Sequence, residues 1–268
     1  MPYADWRGLR LYYEIHGEGE TLLCVTGVGL DVTGWSAQIP AWSREFRVVA
    51  FDNRDAGRSS YVSEPYDVRE LAADTLGLID GLGLERFHLL GLSLGGAVAQ
   101  EVALAIPGQV QSLTLCVSYA GAGLWSRERA RLAAQASPGK SDEEFIDELM
   151  LLSLSEDTYE TFGRHLPMMR RLALGNPYRQ RREGFLRQLA AGGTHDARGR
   201  LGALALPVHV IGVDEDVWIP VRRSHELAEL IPGARLSIIP GAAHAVHAER
   251  PLEFNAAVLD FLRSLKGS

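Results

Sequence analysis

The sequence predicts an α/β protein: a mostly parallel central sheet flanked by helices, with a helical segment inserted between core strands. Three observations predict it. Short apolar runs and helical stretches alternate up to residue 120 at the spacing of parallel strand–helix–strand units. After Tyr119 that rhythm stops, and residues 121–200 hold no convincing strand. It then returns, so the core is assigned to 1–120 and 201–268 and the helical insert to 121–200.

Taken in order, Leu9–Ile15 and Thr21–Thr26 read as strands, and His16-Gly17-Glu18-Gly19-Glu20 between them as a hairpin turn. Phe46–Phe51 is the next strand, closed by the polar loop Asp52–Ser59. A helix starts behind Asp67, with Glu70 three residues on as in a capping box. Val68, Leu71, Ala72, Thr75, Leu76 and Ile79 follow at helical spacing until Gly81 and Gly83 stop it. Phe87–Leu90 reads as a short buried strand in which His88 is a satisfied core residue. Gly95–Ile106 is a helix ended by Pro107, and Ser112–Val117 the following strand.

The insert shows only polar helical stretches, broken at Pro138-Gly139, Pro167 and Asn176-Pro177. Its charge is segregated: 142–160 holds eight acids and no base, 164–187 seven arginines and one glutamate. Either these are solvated faces that pair with each other, or the arginines form an anion-facing wall over a pocket that would favour a carboxylate-bearing substrate. The closing elements are a strand at Pro207–Val213, a helix at Pro220–Leu230, a strand at Ala234–Ile239 and a helix at Pro251–Leu265.

Composition narrows the function classes. With 27 basic and 34 acidic side chains the chain carries a net charge of −7, which argues against non-specific binding to nucleic acid or an anionic membrane. Cys24 and Cys116 both lie in strand candidates, so buried reduced thiols are expected rather than a disulfide framework. The N-terminus lacks the basic-then-apolar layout of a signal peptide. The uncharged stretch Val102–Trp125 is broken by Pro107-Gly108-Gln109 and reads as a helix end followed by a strand, not a membrane span. The expectation is a cytoplasmic-type soluble protein acting on a small-molecule substrate, with neither nucleic acid nor membrane as partner; a homodimer is left open.

The sharpest signal is Gly91-Leu92-Ser93-Leu94-Gly95, a G-x-S-x-G between a predicted strand and a predicted helix. A tight strand-to-helix turn crowds the backbone at Ser93, so its flanking glycines must lack Cβ atoms, and Gly96 adds room for the helix. The turn lifts the hydroxyl clear of the sheet and sets it at a helix N-terminus. A serine hydroxyl is a weak nucleophile and needs a base held by an acid. Both follow, each at the C-terminal end of a later strand. Val208–Val213 runs into Asp214-Glu215-Asp216, and Leu236–Ile239 runs into Pro240-Gly241-Ala242-Ala243-His244.

With these motifs the chain resembles the α/β-hydrolase fold superfamily, in its capped esterase, lactonase and haloperoxidase-like group. The similarity rests on Thr26-Gly27-Val28-Gly29, the Asp52–Ser59 loop, the serine elbow, Gly212…Asp216…Pro220 and Gly241-Ala242-Ala243-His244…Glu249-Arg250-Pro251, and fades in the insert. The resemblance implies Ser93 as nucleophile, His244 as base and Asp216 as acid. Asp214 is the fallback and Glu215 the least favoured, while His247 is a pocket-rim or structural residue. It implies an oxyanion hole from the backbone N–H groups of Val28 and Leu94, with no metal or organic cofactor. Relatives usually carry His-Gly where this chain has Thr26-Gly27, which implies altered packing of that loop. The Arg54/Asp55 loop is read as structural, pinning a turn beneath the elbow.

In capped relatives the substrate lies between core loops and insert helices. By position, Trp35, Tyr119, Trp125, Phe162, His165, Met168, Met169 and Trp218 are candidate lining residues. The implied activity is hydrolysis of a carboxylic ester or lactone of a small, largely apolar molecule through an acyl-enzyme. A serine-dependent C–C bond hydrolase and a non-enzymatic receptor-like binder are the alternatives. Epoxide hydrolase and haloalkane dehalogenase chemistry needs an aspartate at position 93 and is excluded.

Overall fold

The computed structural model describes residues 2–266. Eight strands form one sheet: β1 (Tyr3–Trp6), β2 (Leu9–His16), β3 (Thr21–Val25), β4 (Arg47–Phe51), β5 (Phe87–Leu92), β6 (Val110–Cys116), β7 (Val208–Val213) and β8 (Arg235–Ile239). Their order is β1-β2-β4-β3-β5-β6-β7-β8, antiparallel at β1–β2–β4 and parallel from β4 to β8. The helices are α1 (Ile39–Trp42), α2 (Val68–Gly81), α3 (Leu94–Ala105), α4 (Leu124–Ala136), α5 (Asp142–Ser153), α6 (Glu156–Phe162), α7 (Leu166–Gly175), α8 (Arg182–Gly192), α9 (Arg222–Leu230), α10 (Val246–Glu249) and α11 (Pro251–Leu265). None among the described residues is long and apolar enough to cross a membrane.

Strands covered on both faces must be apolar on both, and β3, β5 and β7 are buried from end to end. Their side chains alternate between two cores. Leu23, Val25, Leu89 and Val210 face one core, filled from α2, α3 and α9 by Leu71, Val98 and Leu227. Leu22, Cys24, Leu90 and Ile211 face the other, filled from α1 and α11 by Trp42, Phe254 and Leu262. Cys24 and Cys116 are free and buried, and burial pushes both thiols up.

Most elements lie within a residue or two of their expected positions, and α2 begins with the expected box. Asp67 accepts from the amides of Arg69 and Glu70 at 2.8 and 3.0 Å, and Glu70 accepts from the Asp67 amide at 3.0 Å. The link His16–Glu20 is not a hairpin turn. Both edges of β3 are taken in parallel by β4 and β5, so β2 pairs with β4 instead. His88 is only half satisfied: one ring nitrogen lies 2.8 Å from the Ser112 hydroxyl and the other has no partner among the described residues.

Helices α4 to α8 lie between β6 and β7 in the chain. Their opposed charge runs pair in part, Arg170 on Asp147 at 2.6 Å and Arg179 and Arg182 on Asp142. None of the seven arginines from 164 to 187 lines the cavity described below, so the anion-facing wall is not formed by them. Arg187 instead grips the buried Asp55 with two bonds of 2.7 and 3.0 Å. Gln188 and Gln180 donate to the carbonyls of Arg54 and Asp55, both at 2.8 Å. The Arg54/Asp55 loop thus anchors α8 rather than merely bracing a turn under the elbow.

Candidate active site

Ser93 sits between the end of β5 and the start of α3 with φ 57° and ψ −118°, a conformation that non-glycine residues avoid. Two bonds hold it there: its amide donates to the Cys116 carbonyl, and its carbonyl accepts from the Ser118 hydroxyl, both at 2.8 Å. A Cβ at Gly91 would run into the Gly95 backbone, and one at Gly95 into the Val25 carbonyl, so neither position admits a side chain. The N–H groups of Val28 and Leu94 have no hydrogen-bond acceptor among the described residues, while the neighbouring Gly29 amide is tied to Gln180 at 2.7 Å. Thr26, in place of the usual histidine, is buried and accepts from Asn53 through its carbonyl at 3.1 Å and its hydroxyl at 3.3 Å.

His244 leaves β8 on a short loop fastened at several points. The Gly241 amide donates to Asp214 at 2.8 Å, the Ala243 amide to Glu249, and the Ala245 amide to the Ser153 carbonyl at 2.8 Å. Nε2 of His244 lies 2.9 Å from the Ser93 hydroxyl and Nδ1 lies 2.7 Å from Asp216. The buried Asp216 carboxylate also accepts from the amides of Trp218 and Ile219 at 2.7 and 2.9 Å, so its orientation is fixed. An ionised carboxylate can only accept, so Nδ1 carries the proton and Nε2 presents a lone pair to the serine hydroxyl. Asp214 and Glu215 take no part in this chain. Asp214 holds the Gly241 amide, and Glu215 accepts from the Glu156 amide at 3.1 Å.

Ser93 and His244 open into a cavity of about 360 Å³ between the core loops and the inserted helices. Its insert side is mainly apolar, with Leu149, Met150, Met169, Phe185 and Leu189. Of the candidate lining residues, Tyr119, Trp125, Met169 and Trp218 reach it and Trp35, Phe162, His165 and Met168 do not. Trp35 is buried beneath, packed on Trp42 at 5.7 Å and on the His247 ring at 6.0 Å. Phe162 on α6, Met168 on α7 and His165 in the turn between them are exposed to solvent. Met168 and Met169 are one residue and about 100° apart on the helix, so only one can face inward.

His247 lines the cavity, and burial, with the nearby His244, pulls its pKa down to about 4. Arg129, Gln188, Leu149 and Met150 were not read from the sequence as lining residues. Arg129 carried the clearest signal, since it lies four residues after Trp125 and so on the same helix face.

A family model described as "Alpha/beta hydrolase family" matches residues 22–257. The chain belongs to the alpha/beta hydrolase family. Among curated relatives of this α/β hydrolase is "Putative carbamate hydrolase RutD" of Azorhizobium caulinodans, 29% identical over 97% of this chain and 98% of that protein. Among solved structures, the enol-lactonase from Burkholderia xenovorans LB400 superposes with a TM-score of 0.87 at 28% identity, covering 98% of this chain and 100% of the other. A thermophilic esterase from Thermogutta terrifontis gives 0.85 at 27% identity, over 98% and 97% of the two chains. The protein is a hydrolase.

Proposed function

We propose that this hydrolase cleaves a carboxylic ester or lactone of a small, largely apolar molecule through an acyl-enzyme on Ser93. The observation that carries the reading is the unbroken relay from Asp216 through His244 to Ser93, 2.7 and 2.9 Å long, opening into a mainly apolar cavity. His244 Nε2 takes the Ser93 proton as the oxygen attacks the carbonyl carbon, and Asp216 stabilises the imidazolium that forms. The tetrahedral oxyanion lies against the N–H groups of Val28 and Leu94, each such donor lowering the barrier by about 3 kcal/mol. His244 then gives its proton to the departing alkoxide, which in a lactone stays tethered to the acyl group. Water repeats the sequence in reverse: it loses a proton to His244, attacks the acyl carbon, and Ser93 leaves with that proton.

The solved lactonase and esterase support this carbonyl class. The name of the full-length relatives brings carbamates into the same chemistry, since attack on a carbamate carbonyl needs the same relay. The test is fluorophosphonate labelling together with turnover of a 4-nitrophenyl alkanoate, a δ-lactone and an aryl carbamate. Stoichiometric labelling of wild type and none of Ser93→Ala, with ester or lactone turnover, is expected. A folded protein that is neither labelled nor turns over any of the three overturns the reading.

A further inference from the structure

Charge in the cavity wall is one-sided. Among the described residues no aspartate or glutamate lines it, and Asp216 is hidden behind His244. Two arginines do line it, Arg223 and Arg129. Arg223 is neutralised by Glu226 at 2.7 Å. Arg129 has no carboxylate within ion-pair distance among the described residues, although it is half-buried and opens onto the cavity. The acid whose charge reaches Arg129 is the buried Asp216, and that carboxylate is already committed to His244 and to the Trp218 and Ile219 amides, so the half-buried cation still favours an anion beside it.

The setting of Arg129 is that of a binding group. Its guanidinium carbon lies over two indoles, 4.5 Å from the Trp125 ring and 4.3 Å from that of Trp218. One terminal nitrogen donates to the carbonyls of Val217 and Trp218 at 2.5 and 3.3 Å, which fixes the fork and leaves the remaining N–H groups without an acceptor among the described residues. The Trp218 ring that supports it is also 6.4 Å from the His244 imidazole, so the cation is one side chain removed from the reacting atoms. A planar, pre-oriented fork with free donors suits a carboxylate.

We propose that Arg129 anchors an ionised carboxylate on the substrate, so that the preferred esters or lactones carry a second, free acid group. This deepens the reading of the preceding subsection and rests on it. The apolar lining then takes the carbon chain between the two carbonyl groups, and the anchored end sets which bond reaches Ser93.

The experiment compares 4-nitrophenyl hemiglutarate with 4-nitrophenyl valerate, its near-isosteric neutral counterpart, in wild type, Arg129→Gln, Arg129→Lys and Arg127→Gln. The last removes the same charge from an exposed position of α4. The quantity read is the ratio of kcat/KM for the anionic ester to that for the neutral one. It is expected to fall about 10- to 100-fold in Arg129→Gln, through KM, to recover partly in Arg129→Lys, and to stay unchanged in Arg127→Gln. Equal losses on both esters would make Arg129 only a pin for the insert, and a matching fall in Arg127→Gln would make the effect long-range charge; either overturns the proposal. Quenching of tryptophan fluorescence by glutarate provides a readout independent of turnover. If neither ester is hydrolysed but glutarate binds wild type and not Arg129→Gln, the hydrolase reading fails and the anchor stands. If glutarate binds both equally, the anchor fails.

Discussion

Replacing Asp216 with asparagine tests the relay without disturbing its shape. One carboxylate oxygen accepts from the Trp218 and Ile219 amides, and the other from His244 Nδ1. An asparagine has one acceptor end and one donor end. Two backbone donors outweigh one, so its oxygen must face the amides and its NH2 group must face Nδ1. The imidazole then carries its proton on Nε2, aimed at Ser93 Oγ from 2.9 Å, where a lone pair is needed. The wrong tautomer is thus enforced by neighbours that do not move. A loss of about 10⁴ in kcat is expected, roughly 5 kcal/mol in the barrier, with little change in Tm. Asp214→Asn is the matched control, because an amide oxygen there can still accept from Gly241, and a loss below about threefold is expected. Steady-state turnover of a 4-nitrophenyl ester, with calorimetry on each variant, reads both. A severe Asp214→Asn beside a mild Asp216→Asn would refute the reasoning.

Three further perturbations follow from the same geometry. Ser93→Gly is expected to abolish turnover yet raise Tm by a few degrees. It releases backbone strain of about 1–3 kcal/mol and gives back roughly half of that as chain entropy; an unchanged or lower Tm by calorimetry contradicts this. Glu249→Ala removes the acceptor that joins the amide and hydroxyl of Ser155 and the hydroxyl of Thr158, at 3.0, 2.8 and 2.7 Å, to the Ala243 amide beside His244. A stability loss of about 3 kcal/mol and a lower kcat are expected from denaturant titration and turnover; a lower kcat at full stability would place Glu249 in the chemistry instead. Acid should destabilise the fold below about pH 6.5. Burial holds His195, His209 and His247 down to about 4 and pulls His88 down as well, so between those limits the unfolded chain binds at least three protons that the native state refuses. Burial holds Asp52 up to about 6, which offsets one of the three. The net slope approaches two protons, about 3 kcal/mol per pH unit; denaturant midpoints that stay flat from neutrality to pH 5 would exclude it.

The parts of this molecule that were legible in the sequence are those set by local rules. Strand apolarity, the capping box at Asp67 and the glycines of the elbow are each dictated within a few residues. Ser93, Asp216 and His244 all sit where a strand ends, so reading the strands also located the relay. What was not legible depends on the partner an element meets. Nothing local tells that β4 separates β2 from β3, because that follows from β3 having both edges occupied. Nothing local tells which side of α7 is inward, so Met168 and Met169 looked equivalent. The arginine-rich run from 164 to 187 is dense in charge, yet Arg170, Arg179, Arg182 and Arg187 find acids near at hand, on α5 and in the Asp55 loop, and fasten the insert to itself and to the core.

Charge density is therefore a poor guide to an anion site in this chain, and the shortage of nearby acid is a better one. Helix α4 carries Arg127, Arg129 and Arg131, and the sequence alone ranks them equally. Arg131 reaches Glu128 at 2.8 Å on the exposed side, and Arg127 stands in water, where a lone cation costs little. Only Arg129 is turned inward, because four residues earlier Trp125 has already committed that face to the cavity. A wall that spends two indoles and two backbone carbonyls on keeping one unpaired guanidinium in place is arranged for a negatively charged group that arrives from outside.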